Sequence, residues 1–154
     1  MATMNMIGNN EVLHAIPKLA ASAQNAQSLM AETVTLLRRE RPHYHWVGIY
    51  LLEGNELVLG PYVGKPTPHT RIPLNQGICG AAASSGQTLI VDDVSADPRY
   101  LACSLETRSE IVLPIVREGR VLGEIDIDSD RPAAFTADDR TLLESVAGIL
   151  AANL

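Results

Sequence analysis

Residues 121–130 read VLGEIDIDSD, and from Glu124 onward polar and apolar side chains alternate. Successive side chains of a β-strand point to opposite faces, so the sequence predicts a strand with two distinct faces. One face carries the acids Glu124, Asp126 and Asp128, and the other carries Ile125 and Ile127. Like charges on neighbouring positions destabilise a sheet. The open question is which positive group, if any, the acids face.

Two predicted hairpins surround this strand. Residues 109–116, SEIVLPIV, precede it across a turn at 117–120, which is typical of a β-hairpin. Residues 45–64, HWVGIYLLEGNELVLGPYVG, break at the glycine-containing turn 53–55 and predict a second hairpin. Trp46, Gly48 and Tyr50 share one face of its first strand, and Val47, Ile49 and Leu51 share the other.

Helices and short strands complete the pattern. We expect a helical segment in two parts over about 11–40, ended by Pro42, and a C-terminal helix over 136–153 with Thr136 as its N-cap. A small-residue helix is expected from an N-cap near Asn75 to Gly86. Residues 71–73 and 89–94 predict extended pieces, and 64–70, GKPTPHT, predict a loop. This order predicts an α+β domain: a central antiparallel sheet with both terminal helical segments on one face.

Composition restricts the classes of function. The chain has 154 residues, 46% of them hydrophobic, and a formal net charge of −6. We expect one domain over 1–154, with the sheet and its pocket in 45–130. The negative charge argues against nucleic acid and anionic membrane surfaces as partners. The first residues resemble no signal peptide and no membrane span is expected, which favours a cytoplasmic location.

The two cysteines, Cys79 and Cys103, fit a reducing compartment. Cys79 falls in the first turn of the small predicted helix, where the helix dipole can favour a thiolate, but a packed structural thiol is the favoured reading. Cys103 falls in a polar connection between Arg99 and Arg108, and nearby cations lower a thiol pKa. For Cys103, a reactive thiol and a loop anchor remain equally open.

The acids and aromatics also have ordinary explanations. Glu110, Glu124, Asp126 and Asp128 fit a solvated outer face, and no loop supplies the density of oxygen ligands that a hard cation needs. The sequence therefore predicts no metal site. Core packing would explain Trp46 and Tyr50, although their face looks toward the connections that carry the two cysteines. The four histidines form no metal-ligand pattern, and a Cys–His69 pair has no motif behind it.

Taken in order, four blocks resemble one family: residues 45–65, 71–82, 101–116 and 123–139. They resemble the free methionine-(R)-sulfoxide reductases, which are stand-alone GAF-domain enzymes. The likeness runs from about His45 to the end, and the SEIVLP and DIDS blocks with an upstream cysteine are specific to this family among GAF domains. It implies a GAF-like fold in which crossover loops form a pocket on the sheet face opposite the terminal helices.

The resemblance also implies roles for individual residues. Cys103 would be the catalytic nucleophile that becomes a sulfenic acid, while Trp46 and Tyr50 would hold the methylthio end of the substrate. Glu110, Asp126 and Asp128 would bind the substrate's ammonium and assist departure of the sulfoxide oxygen. The acids would then face a free amino group, which answers the opening question. Glu124 matches no functional residue of the family and is expected to be a bystander.

One departure from the family concerns recycling. The loop 64–70 holds His69 but no cysteine, whereas the family often has a resolving cysteine there. Either Cys79 resolves Cys103, or an external thiol does, or activity is lost. The resemblance implies no bound cofactor and a thioredoxin system or another thiol as reductant; a homodimer is compatible with the pattern. The alternative reading is a non-catalytic GAF module that senses a small molecule.

Overall fold

The computed structural model describes residues 2–101 and 105–154. These residues form one six-stranded antiparallel sheet, four α-helices and a short 3-10 helix. The helices are α1 (Ala2–Ser22), α2 (Ala26–Glu40), α3 (Gly77–Ser85) and α4 (Ala137–Asn153). The strands are β1 (Trp46–Glu53), β2 (Glu56–Val63), β3 (Arg71–Pro73), β4 (Leu89–Val91), β5 (Ser109–Arg117) and β6 (Arg120–Ser129), and the 3-10 helix is Val94–Ala96.

The strands are ordered β3-β2-β1-β6-β5-β4, so the two strands with the strongest alternation lie at the centre. Trp46 lies opposite Asp128 and Tyr50 opposite Glu124 in the β1–β6 pair. On the other side of β6, Glu110 lies opposite Asp128. Directly opposed residues share a face, so this register gathers the aromatics and the acids on one side of the sheet.

The other face of the sheet packs against the terminal helices. Val47 and Ile49 of β1 and Ile125 and Ile127 of β6 are fully buried there, in one apolar cluster with residues of α1, α2 and α4. Burial of a side chain of this size contributes about 1.5–3 kcal/mol. The prediction of an antiparallel sheet with the terminal helices on one face is confirmed.

The acid-bearing face is covered by α3 and by the connections around it. Ile78, Cys79 and Ala82 of α3 belong to a second buried cluster with Trp46 and Tyr50. This helix begins one residue later than expected: the N-cap is Gln76, without a side-chain cap, so the assignment of Asn75 was wrong. The next residue, Gly77, has φ +71°, and a side chain there would also meet Leu101 Cδ1 at 2.9 Å, so backbone geometry rather than a capping side chain sets this start.

Other boundaries follow local signals. Gly86 ends α3 in the left-handed conformation, as expected. Thr136 caps α4 and forms a reciprocal capping box with Asp139. The first helix begins at Ala2, before the expected start near position 11, and the strand expected at 89–94 is shorter, because a 3-10 helix begins at Val94. Among the described residues, no helix combines the length and the hydrophobicity needed to span a bilayer.

Candidate active site

Four carboxyl side chains lie buried on the face of the sheet that α3 covers. Glu124 is 0% exposed, Asp126 2%, Asp128 3% and Glu110 5%. The interpretation of these acids as a solvated outer face is therefore wrong. The sequence could not show their burial, because the segments that cover them are distant along the chain. Burial of several carboxyl groups together is unfavourable unless they are protonated, paired or bound to a ligand.

Burial also changes the protonation of these groups. Desolvation raises the pKa of Asp126 from its ordinary value and raises the pKa of Glu124 and of Asp128 well above theirs. The charge of Asp126 raises the pKa of Glu124 and of Asp128 further. Neighbouring carboxyl groups in a site from which water is excluded therefore hold protons that an exposed acid would lose.

Several oxygens of the cluster lack hydrogen-bond partners among the described residues. They are both carboxyl oxygens of Glu124, Oδ1 of Asp126 and Oδ1 of Asp128. Buried polar atoms are nearly always satisfied in folded proteins, and exceptions call for a specific explanation. The arrangement fits a site that receives a donor or a cation from a ligand.

Cys79 faces the same cluster from the first turn of α3. Its Sγ lies 4.0 Å from Glu110 Oε2. Burial raises the pKa of the Cys79 thiol well above its usual value, and the charges of Asp126, Glu124 and Glu110 raise it further. Burial thus acts on this pKa against the helix N-terminus, and the burial of Cys79 agrees with the expectation of a packed thiol.

The two aromatics hold the loop 64–70 against the sheet. Trp46 Nε1 donates a hydrogen bond to the carbonyl of Lys65 at 3.0 Å, and the Tyr50 hydroxyl donates to the carbonyl of His69 at 2.8 Å. The Trp46 ring stacks on Tyr62 with centroids 5.6 Å apart and 20° between the planes. The ring lies directly over Gly48: a methyl group added at this position would be 2.3 Å from Trp46 Cη2. Both predicted wall residues are therefore on the acid-bearing face, next to the loop in which the family often has a cysteine.

Two cavities open along this face. A small one, of about 10 Å³, is lined among others by Tyr50, His69, Cys79, Glu110 and Asp126. A larger one, of about 410 Å³, has Trp46 and Asp128 in its wall. Its lining also includes residues that the sequence reasoning did not assign to a site: Arg38, His45, Lys65, Glu106 and Asp130. They come from separate segments, so no local pattern could have found them as a group.

Cys103, the expected nucleophile, lies outside the described residues, which stop at 101 and resume at 105. The residues on both sides of this interval contact the cavities: Leu101 lines the small one, and Glu106 and Thr107 line the larger one. Glu106 also forms an ion pair of 3.1 Å with Lys65 of the loop 64–70. The connection that carries Cys103 thus leaves and re-enters the described structure beside the acids.

Comparisons with known proteins identify the family. The GAF domain family model matches residues 25–154. GAF domain-containing protein A of Dictyostelium discoideum is 39% identical over 84% of this chain and 82% of its own length. The free methionine-R-sulfoxide reductase of Escherichia coli (strain K12) is 38% identical over 79% of this chain and 73% of its own length.

A solved structure extends the likeness to the whole fold. The X-ray structure of free methionine-R-sulfoxide reductase from Neisseria meningitidis, in complex with its substrate, superposes with a TM-score of 0.90 at 38% identity. The match covers 94% of this chain and 87% of that one. The acid-bearing face covered by α3 and the similarity over most of both chains lead to one assignment: the chain belongs to the free methionine-R-sulfoxide reductase family of GAF-domain proteins.

Proposed function

We propose that this protein reduces free L-methionine-(R)-sulfoxide to methionine. The observation that carries the proposal is the buried group of acids beside the Trp46–Tyr50 wall, in a chain of this family. Free methionine sulfoxide has an ammonium group, a polar sulfoxide and a small apolar methyl group. Acids, a hydrogen-bond donor and an aromatic wall are the complementary features.

The chemical step uses the thiolate of Cys103 as nucleophile. It attacks the sulfoxide sulfur and forms a sulfur–sulfur bond. The oxygen, with one proton, then passes to the cysteine sulfur while the sulfur–oxygen and sulfur–sulfur bonds to the methionine sulfur break, which leaves a sulfenic acid and methionine. The cysteine is oxidised by two electrons and the methionine sulfur is reduced by two. The oxygen needs a proton as its bond to the methionine sulfur weakens, so a neutral carboxyl group nearby accelerates the step.

We assign two further roles to Glu110, Asp126 and Asp128: binding the substrate's ammonium and donating a proton to the sulfoxide oxygen. Those that are ionised pair with the substrate's ammonium, and one that is protonated donates to the sulfoxide oxygen. Burial raises the pKa of Asp126 and of Asp128, which favours retention of a proton within this group of acids. A peptide bond removes the ammonium, so this recognition favours the free amino acid over methionine sulfoxide within a protein.

Recycling requires a second thiol. We propose that Cys79 attacks the sulfenic acid of Cys103 with loss of water, or that an external thiol does so, and that a thioredoxin-like protein or another thiol supplies the electrons. The raised pKa of Cys79 means that it enters this step protonated and must pass its proton to a base, for which the surrounding carboxylates are available. No bound cofactor is required by this scheme.

A second candidate is a GAF module that binds a small cation-bearing molecule without turnover. The unpartnered oxygens of Asp126 and Asp128 favour ligand binding whether or not chemistry follows. The two candidates differ in their dependence on Cys103, because a sensor needs the acids and the enzyme needs the acids and the thiol.

The first experiment is a single-turnover assay. Reduced protein at high concentration is mixed with free methionine-(R)-sulfoxide, and methionine released per subunit is measured beside Cys103→Ser. About one equivalent from the wild type and none from the variant would support the reductase. Substrate binding without release of methionine from either protein would refute it in favour of the sensor.

Matched variants test the acids. Asp126→Asn and Glu110→Gln should reduce turnover far more than they reduce the free energy of unfolding. Glu124→Gln, on the same face but absent from the described walls of both cavities, should retain turnover. Equal losses of activity and stability in the first two variants would contradict a role in the site.

Cys79→Ser tests recycling separately. If Cys79 resolves Cys103, this variant releases methionine once but does not turn over with thioredoxin. Full steady-state activity would exclude the pairing.

A further inference from the structure

A thiol and two carboxyl groups converge on the small cavity. The Cys79 sulfur and one oxygen each of Glu110 and Asp126 all lie within 4.8 Å of one another, and all three residues are buried. We propose that Cys79, Glu110 and Asp126 form a binding site for a thiophilic divalent cation, Zn²⁺, whose occupancy excludes the substrate's ammonium group.

The donor set selects the kind of cation. Thiolate and carboxylate are both zinc ligands, whereas calcium and magnesium prefer oxygen donors alone. Ligand bonds of about 2.0–2.3 Å place the donors of a tetrahedral zinc about 3.3–3.8 Å apart. The observed separations, all within 4.8 Å, reach that range with shifts of about one ångström, which side-chain rotations can supply.

Two independent features of the cavity point to a small cation. Its volume of about 10 Å³ is close to that of one water-sized sphere, which suits a dehydrated ion bound by protein ligands. Asp126 lines this cavity, is 2% exposed, and keeps Oδ1 without a hydrogen-bond partner among the described residues. Three protein donors leave a fourth tetrahedral position, which water can fill.

Three separate elements supply the proposed ligands, and each ligand must be deprotonated to bind the cation. The sequence predicted no metal site because it shows no loop rich in oxygen ligands, whereas the zinc site takes its three ligands from α3, β5 and β6.

The regulatory consequence rests on the proposed function. Glu110 and Asp126 are the acids assigned to the ammonium, so a zinc ion bound to them and methionine sulfoxide exclude each other. Zinc would also hold Cys79 away from the sulfenic acid of Cys103. The protein would be inhibited while zinc is bound and active once a chelator removes it.

The binding test uses Cys103→Ser, which retains Cys79 as its single cysteine and needs no catalytic activity. CoCl₂ is added to the reduced variant, and the near-ultraviolet thiolate-to-cobalt charge-transfer band is recorded; ZnCl₂ should abolish the band by displacement. Adding Cys79→Ser should remove the band and weaken zinc binding by about 100-fold or more, since loss of groups outside the ligand set alone costs about 10–100-fold. No band in Cys103→Ser, or a wild-type band that survives Cys79→Ser but not Cys103→Ser, would overturn the site.

Isosteric variants keep the fold and separate ligation from general electrostatics. In the Cys103→Ser background, Asp126→Asn and Glu110→Gln should each weaken zinc binding at least tenfold, while Glu124→Gln, the same isosteric change at a buried acid outside the three proposed ligands, should change it less than threefold. Equal weakening by all three would show an effect shared by the buried acids and refute the ligand assignment. Circular dichroism of each variant checks that it is folded.

Inhibition is measured separately on the wild type. In single turnovers, ZnCl₂ should suppress methionine release, and rising methionine sulfoxide should relieve the suppression. Cobalt binding in Cys103→Ser without any reductase activity in the wild type would support the metal site and refute the proposed function. Uncompetitive or noncompetitive inhibition would overturn the exclusion of substrate by zinc.

Discussion

Gly48→Ala tests how the Trp46 ring of the aromatic wall packs against β1. The position lies between Trp46 and Tyr50 on β1, and a methyl group there would lie 2.3 Å from Trp46 Cη2 and 2.6 Å from Cζ3. Real Cβ atoms do not approach a ring so closely, so the indole must move. The ring cannot move freely, because its nitrogen donates to Lys65 and its face stacks on Tyr62.

The contacts that Gly48→Ala would disturb determine the expected change in the free energy of unfolding. Overpacking at a filled position costs about 1–3 kcal/mol. Loss of the hydrogen bond adds about 1 kcal/mol, and loss of the aromatic pair adds about 0.5–1.5 kcal/mol. Partial relaxation recovers some of this, so we expect Gly48→Ala to lower the free energy of unfolding by about 2–4 kcal/mol.

Urea denaturation followed by fluorescence measures this effect. Trp46 is the single tryptophan of the chain, so its emission reports on this ring alone. The native variant should show a changed emission maximum and an increased KM for methionine sulfoxide. Gly148→Ala is the matched control, in the middle of α4. No described atom beyond its chain neighbours and the backbone of its own helix lies within 4 Å of the new methyl group, so this change should stabilise the protein by about 0.5–1 kcal/mol.

The combination of results separates the explanations. Unchanged emission and unchanged stability in Gly48→Ala would refute the claim that the Trp46 ring packs over this glycine. A loss of stability without any change in emission would mean that the strand, and not the ring, absorbs the extra group.

Three further predictions concern buried groups. The raised pKa of Glu124 means that the folded state binds more protons than the unfolded state above the usual value of 4.5, so stability is lost as the pH rises through this window. Glu124→Gln should therefore stabilise the protein at pH 8 but not at pH 4, as measured by urea denaturation at both; equal effects would contradict the reasoning. Tyr44→Phe removes the buried hydrogen bond from the Tyr44 hydroxyl to the Asp139 carboxyl group and should cost about 1.5–3 kcal/mol in the same assay; a negligible change would show that this bond contributes nothing. In Cys103→Ser, alkylation of Cys79 by iodoacetamide should be slow at pH 7 and still accelerate above pH 9.0, the usual thiol value, whereas a rate that levels off below it would indicate an unperturbed thiol.

Much of the fold could be predicted because its signals are local. The strand at 109–116 and the alternation from Glu124 onward were predicted from local strand signals. The observed β5 (Ser109–Arg117) and β6 (Arg120–Ser129) each extend into the predicted turn 117–120. Gly86 and Thr136 mark helix ends through their own backbone and side-chain chemistry. The start of α3 could not be predicted in this way, because its N-cap Gln76 makes no side-chain cap and the helix begins at Gly77 with a positive φ.

The candidate site could likewise be predicted only in part. The sequence by itself determined that Glu124, Asp126 and Asp128 share a face with each other, and that Trp46 and Tyr50 share one on the neighbouring hairpin, because strand geometry imposes it. Only the tertiary structure decided that the two sets adjoin and that α3 covers them.

Protonation and ligand affinity depend on that covering. The residue type is the same whether an acid is solvated or buried, but only a buried acid loses its hydration. This desolvation is the main cause of the raised pKa of Glu124, Asp126, Asp128 and Cys79. Cys79, Glu110 and Asp126 meet around one small cavity although they are far apart along the chain. Residue types and faces are thus determined by the sequence, whereas desolvation and convergence, which decide the chemistry, arise only when distant segments pack together.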